Sequence, residues 1–254
     1  MISVIVCSID PAKFDRVSRQ YGQLLGGGGE PYEVVGVHDA TGLAEGYARG
    51  LARARGEVVI FSHDDIDILT PDLAARLREH LAEYDLLGVA GATRVRDGYW
   101  VGSGPPYLYG QIAQYDAKTN SYAVHVWGAP ARRMGGIVAM DGVFLCARRA
   151  VVEAVPFDAQ TFTGFHVYDV DFTFRAHLAG FRLAVCADVP IAPASAGRFD
   201  GRWAQDVLRF RRKHQGRLDP GPQRTWQATV VSVQTRAEAV EIMNPPHWVL
   251  PGGT

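Results

Sequence analysis

Two stretches of this 254-residue chain gather side chains that could do chemistry. The first is FSHDDIDI, residues 61–68, where His63, Asp64, Asp65 and Asp67 follow the apolar run VVIF. Hard carboxylate oxygens at a strand end suit Mg2+ or Mn2+ bridging a diphosphate, because Mg2+ takes one or two protein carboxylates and completes its shell with phosphate and water. A turn capping the helix that opens at Thr70-Pro71-Asp72 is the competing reading, since Asp is common in turns. The second stretch is FHVYDVDFTFRAHLAGF, residues 165–181, with Asp169 and Asp171 at the start of a helix. The helix dipole favours ionised carboxylates there, and such a carboxylate could accept a proton from an attacking hydroxyl. Plain N-terminal capping, with Arg175 pairing to Asp171 one turn on, explains the same residues.

The elements that must position these groups follow from periodicity. Ser3 to Ile9 is a β-branched run and reads as a strand buried on both faces. Asp10-Pro11 supplies an N-cap and first-turn proline for a helix carrying Phe14, Val17, Tyr21 and Leu24 inward. Strands follow at Glu33–Val37, Val58–Phe61 and Leu86–Ala90, with helices at 43–55 and from Thr70 between them. This βαβαβαβ series predicts an α/β fold, a mostly parallel sheet with helices on both faces. Ligands in such sheets bind outside the carboxyl ends of the strands, which gathers Ser8, Ile9, Asp39 and the 63–67 acids on one rim. A divalent cation is the simplest way to make those carboxylates compatible.

Beyond residue 91 the pattern changes. Residues 92–134 are rich in Gly, Pro, Tyr and Trp, and read either as a functional loop or as a β-meander over a sheet edge. A strand is expected over Ile137–Cys146 around Asp141-Gly142, a helix over Val170–Ala179, a strand over Leu183–Ala187 and an amphipathic helix over Trp203–His214. Residues 216–254 read as an irregular, proline-rich extension. The expected division is a domain of residues 1–215, with a nucleotide-binding half to about 91 and an acceptor half from 92, followed by that extension.

Composition removes several function classes. A formal net charge of −1 argues against a general nucleic-acid binder. The three cysteines, Cys7, Cys146 and Cys186, have no CxxC spacing, and no apolar run approaches the roughly 18 residues of a membrane span, so a soluble, cytoplasmic protein is expected. The glycines at 26–29 follow a helix and fail the phosphate-loop context, and Ser8 lacks the GxSxG setting of a serine hydrolase.

In order along residues 1–200, GLAEGYARGLARARGEVVIFSHDDI, LLGVAG, VAMDGVFLCARRAV and FHVYDVDFTFRAHLAGFRLAV resemble the family 2 glycosyltransferases of GT-A fold. The likeness is to the small bacterial group of streptomycin-biosynthesis-protein-like enzymes that carry HxD in place of DxD. The resemblance implies inverting transfer of a sugar from a nucleotide-sugar donor to an acceptor hydroxyl, assisted by Mn2+ or Mg2+. Carried over by position, Ser8, Ile9 and Asp39 would hold the nucleoside. Asp65 would be the metal carboxylate, with His63 and Asp64 beside it and Asp67 contributing in the alternative DID register. Asp141 and Gly142 would line the cleft, Asp169 would be the general base, and Asp171 would help position the acceptor. The acceptor would be a glycan, a lipid-linked sugar or a small molecule, with the aromatic segment Tyr99–Trp127 shaping its pocket. Peripheral membrane contact through the basic helix near Arg211 is an option. The chain departs from the family pattern at Ala48, where Asn is common, and at Pro193, where a histidine usually ligates metal. A non-catalytic nucleotide-sugar or glycan-binding module and a sugar nucleotidyltransferase are the alternatives.

Overall fold

The computed structural model describes residues 1–116, 118–128, 131–195, 197, 199–222 and 228–245. The N-terminal part runs β1 (Ile2–Cys7), α1 (Pro11–Tyr21), β2 (Tyr32–Val37), α2 (Leu43–Arg53), β3 (Val58–Ser62), β4 (Ile66–Ile68), α3 (Leu73–Leu81), β5 (Leu86–Gly88) and β6 (Ala90–Ala92). The centre contributes β7 (Leu108–Asp116), β8 (Ser121–Trp127), β9 (Arg133–Gly135), β10 (Ala139–Met140), β11 (Phe144–Arg148) and α4 (Arg149–Ala154). Then come α5 (Tyr168–Leu178), β12 (Leu183–Cys186), β13 (Ile191–Pro193), α6 (Gly201–Lys213), β14 (Thr229–Val233) and α7 (Arg236–Met243).

A seven-stranded sheet in the order β2-β1-β3-β11-β5-β12-β9 forms the centre. Five of its strands run one way, while β11 and β9 run against them. Alternation along β1 sends Ile5 into one apolar layer and Val4 and Val6 into the other, so helices cover both faces. At α1 the cap reads as the sequence suggests: the Asp10 carboxylate accepts from the Ala12 and Lys13 N–H groups, with Pro11 in the first turn.

Three expectations are corrected. The strand expected over Leu86–Ala90 is shorter than its apolar run: β5 joins the central sheet between antiparallel β11 and parallel β12. The run is also split, because the chain leaves the central sheet after Gly88 and enters a second, antiparallel sheet as β6, in the order β10-β6-β7-β8-β14. The aromatic middle segment supplies the β7–β8 hairpin of that second sheet, so the meander reading applies to residues 108–127. The expected strand over Ile137–Cys146 breaks at Asp141–Val143, with β10 and β11 on either side and in different sheets. The extension after residue 215 is only partly irregular: β14 pairs with β8, and α7 opens with a capping box between Thr235 and Glu238. Prolines at the borders of these short elements hide them from a composition count. Among the described residues no helix is long and apolar enough to cross a membrane.

Candidate active site

The reversed direction of β11 builds the site. Phe144 pairs with Ser62, so the turn Asp141–Val143 arrives at the edge where β3 ends, and the His63 N–H donates to the Val143 carbonyl at 3.2 Å. The N-terminus of α5 meets the same turn: the Gly142 N–H donates to Asp169 Oδ2 at 2.7 Å, and the Tyr168 hydroxyl donates to the Gly142 carbonyl at 3.3 Å. A Cβ at Gly142 would run into the Tyr168 hydroxyl and the Asp169 Cβ, so only glycine permits this approach. Immediately before, Val167 sits in the left-handed region at φ 63° although it is β-branched and buried. Strain of this kind persists where surrounding packing fixes it and is concentrated at functional sites.

His63, Asp141, Gly142 and Asp169 line one cleft of about 450 Å3. Trp100, from the short helical turn after β6, donates its indole N–H to Asp141 Oδ2 at 3.1 Å, while Oδ1 accepts from the Val143 N–H at 2.9 Å. His63 Nε2 lies 3.2 Å from the Tyr168 hydroxyl. Burial pushes the Asp169 carboxyl up to about 7, and the charge of Asp141 adds to the rise; N–H groups of Val170 and Gly142 oppose it. A carboxylic acid that ionises near neutrality, beside a second carboxylate in a cleft, is suited to taking a proton from a hydroxyl.

The other expected acids have different settings. Asp65 is buried, and Ser195 Oγ donates to its Oδ2 at 2.5 Å; Ser195 itself lines the cleft. The small β4–β13 pair makes this contact, with the Ala194 N–H donating to the Asp65 carbonyl at 2.8 Å. Asp64 accepts from Ser8 Oγ at 2.6 Å, which joins the end of β1 to the end of β3. Ile9 is 84% exposed, and Asp39 stands in solvent with Arg49 at 2.9 Å. Asp67 points away to Arg16 at 2.6 Å. Asp171 is fully buried outside the cleft lining, with Lys213 at 2.7 Å, His214 at 2.8 Å and Arg175 at 2.7 Å around it. Burial would raise its carboxyl, but the His214 hydrogen bond and the Arg175 and Lys213 charges outweigh that and hold it below the usual range. Asp171 thus ties α5 to α6 and is not among the side chains that line the cleft. Sequence reasoning missed Ser195, Tyr168 as a hydrogen-bonding wall, and Trp100; for Ser195 the signal was available in IAPASAG, two positions after Pro193.

The family model described as "Glycosyltransferase like family" matches residues 3–206, well over half of the sequence. The chain belongs to this glycosyltransferase-like family. A search of the curated proteins finds no match. Among solved structures, the glycosyltransferase chain is similar to the mannosyltransferase PcManGT from Pyrobaculum calidifontis in complex with GDP-Man and Mn2+. That likeness has a TM-score of 0.54 at 13% identity, covering 87% of this chain and 65% of that one, just under two thirds of its length. A Drosophila β1,4-galactosyltransferase 7 mutant in complex with manganese, UDP-Gal and xylobiose gives a TM-score of 0.46 at 12% identity, with coverage of 87% and 82%. The mannosyltransferase comparison shows the fold: this glycosyltransferase-family chain has the mixed α/β, GT-A-type architecture.

Proposed function

We propose that the chain is an inverting glycosyltransferase that moves a sugar from a nucleotide-sugar donor to an acceptor hydroxyl, with Asp169 as general base. The observation that carries this reading is the Asp169 carboxyl, buried at an α5 N-terminus in a cleft and ionising near neutrality beside Asp141. Ionised Asp169 takes the acceptor proton as the oxygen attacks the anomeric carbon; the bond from that carbon to the diphosphate breaks, and the nucleoside diphosphate leaves with the electron pair. The Gly142 N–H fixes the carboxylate for this task. On this reading residues 1–91 hold the donor, with Ser8, Ile9 and Asp39 toward the nucleoside, and residues 92–215 shape the acceptor side.

Membership of the family, and a structural relative solved with GDP-Man and Mn2+, support a nucleotide-sugar donor and a divalent cation here. The donor set fits a cation only sparsely. Asp64 and Asp67 are committed to Ser8 and Arg16, and no group of three metal-binding side chains occurs among the described residues. Asp65 is the residue that would hold the ion, a one-carboxylate site of the kind completed by phosphate and water. When bound, the cation would neutralise charge on the leaving diphosphate.

Incubation with a panel of nucleotide sugars, read as nucleotide release with and without Mn2+, tests the proposal. Release that depends on Asp169 supports it. Nucleotide binding with no turnover toward any acceptor would favour a binding module.

A further inference from the structure

The cleft has an aromatic rim that the reaction itself does not use. Tyr99, Phe199 and Trp203 pack edge to face in a triangle, with centroids 5.3 Å (Tyr99–Phe199), 5.5 Å (Tyr99–Trp203) and 5.2 Å (Phe199–Trp203) apart. All three line the cleft that holds Asp169, as does Phe165. Phe199 is 60% exposed and Phe165 54%, an unusual cost for large apolar side chains and one that marks binding surfaces when they cluster. Interplanar angles of 69°, 89° and 82° keep the rings near perpendicular, the edge-to-face arrangement that aromatic side chains favour.

We propose that Tyr99, Phe199 and Trp203, with Phe165 in the same cleft lining, form a stacking subsite for a neutral pyranose ring of the acceptor. This rests on the transferase reading above and extends it to the class of acceptor. The C–H groups on one face of a pyranose are polarised by its oxygens and settle on the negative face of an aromatic ring. Its hydroxyls need polar partners, and Gln114 and His166 line the same cleft. Asp141 and Asp169 disfavour a uronate or phosphate at this position by like-charge repulsion. A cleft of about 450 Å3 falls within the range of small-molecule sites, roughly 300–1,000 Å3. The subsite is also anchored to the base. Trp203 rides on α6, and α6 is fastened to α5 by buried Phe210 and the His214–Asp171 pair at 2.8 Å.

The test is direct sugar binding by the full chain, using saturation-transfer NMR with methyl α-D-mannopyranoside, methyl β-D-glucopyranoside and D-glucuronate. Phosphatidylglycerol vesicles serve as the lipid control. The expected result is binding of at least one neutral pyranoside in preference to glucuronate. Phe199→Ala should weaken it about tenfold, and Phe199→Trp, which keeps a ring face, should retain it. The Phe199 side chain is largely solvated, so an unchanged melting temperature will establish that the alanine variant is folded. Absence of binding to either neutral sugar, equal binding by the folded Phe199→Ala variant, or a Phe199-dependent preference for glucuronate or for vesicles would each overturn the subsite. Nucleotide release from the donor panel reads the transferase proposal separately, since a chain that binds sugar but neither binds nor cleaves a nucleotide sugar fails there and not here.

Discussion

Asp169 is pulled in two directions. The α5 N-terminus and its N–H groups favour the anion, while burial and the Asp141 charge favour the acid and prevail, which places ionisation at about 7. Two consequences follow at this residue. Transfer should rise as pH increases through about 7, because the base must be ionised. Folding stability should move the other way. A carboxyl raised above its unfolded value contributes stability that is complete below the unfolded pKa, near 3.8, and is lost as pH climbs through about 7. Asp169→Asn should therefore lower turnover by roughly 10²–10⁴-fold, yet melt higher than the parent at pH 8, by roughly 1–4 kcal/mol in stability. Calorimetry at pH 5 and pH 8 would show whether that gain is larger at the higher value, as the window between 3.8 and about 7 requires. Gly142→Ala tests the neighbouring residue: its Cβ would displace Tyr168 and Asp169, and kcat should fall with a destabilisation of about 1–3 kcal/mol.

Between elements, the decisive choice is the antiparallel insertion of β11, which delivers the Asp141–Val143 turn to the carboxyl edge of β3. Nothing in the alternation of β11 residues reveals its direction, because Phe144 to Ala147 are buried whichever way the strand runs. The acids themselves were legible, since residue type and a place in the first turn of α5 are local properties; their partners were not, since Ser195 meets Asp65 only across the β4–β13 pair. Asp171 shows the same limit from the other side. The family resemblance implied an acceptor contact for it and the helix spacing a pairing with Arg175, and the placement of α6, bringing Lys213 and His214, shows a buried ion cluster. Removing one partner of such a cluster leaves uncompensated charge, so Asp171→Ala should cost about 3–5 kcal/mol in chemical denaturation. Because its carboxyl is held below the usual range, the cluster's contribution is present above the unfolded pKa and fades as pH falls through the lower folded one. The parent protein should lose stability in acid more steeply than the variant.

For the molecule as a whole, the parallel half of the sheet was readable from apolar periodicity and from the Asp10-Pro11 cap. The second sheet was less so: β6 and β10 are very short, and β14 joins the β7–β8 hairpin from a distant part of the chain. The two sheets converge on the cleft, with His63 at the end of a strand of the first, Trp127 closing a strand of the second and Asp169 heading α5. Donor binding should consequently stabilise the whole fold by mass action, and Asp65→Ala should reduce the melting shift produced by a nucleoside diphosphate with Mn2+. Equal shifts in parent and variant would remove Asp65 from the donor site.

The pH dependence of kcat/KM for nucleotide-sugar turnover, measured for the parent and Asp169→Asn, bears most directly on the role of the base. A rising limb with a midpoint near 7 in the parent, absent from a variant with almost no turnover, is the predicted result. A profile flat between about pH 5 and pH 9, or a variant as fast as the parent, would contradict it.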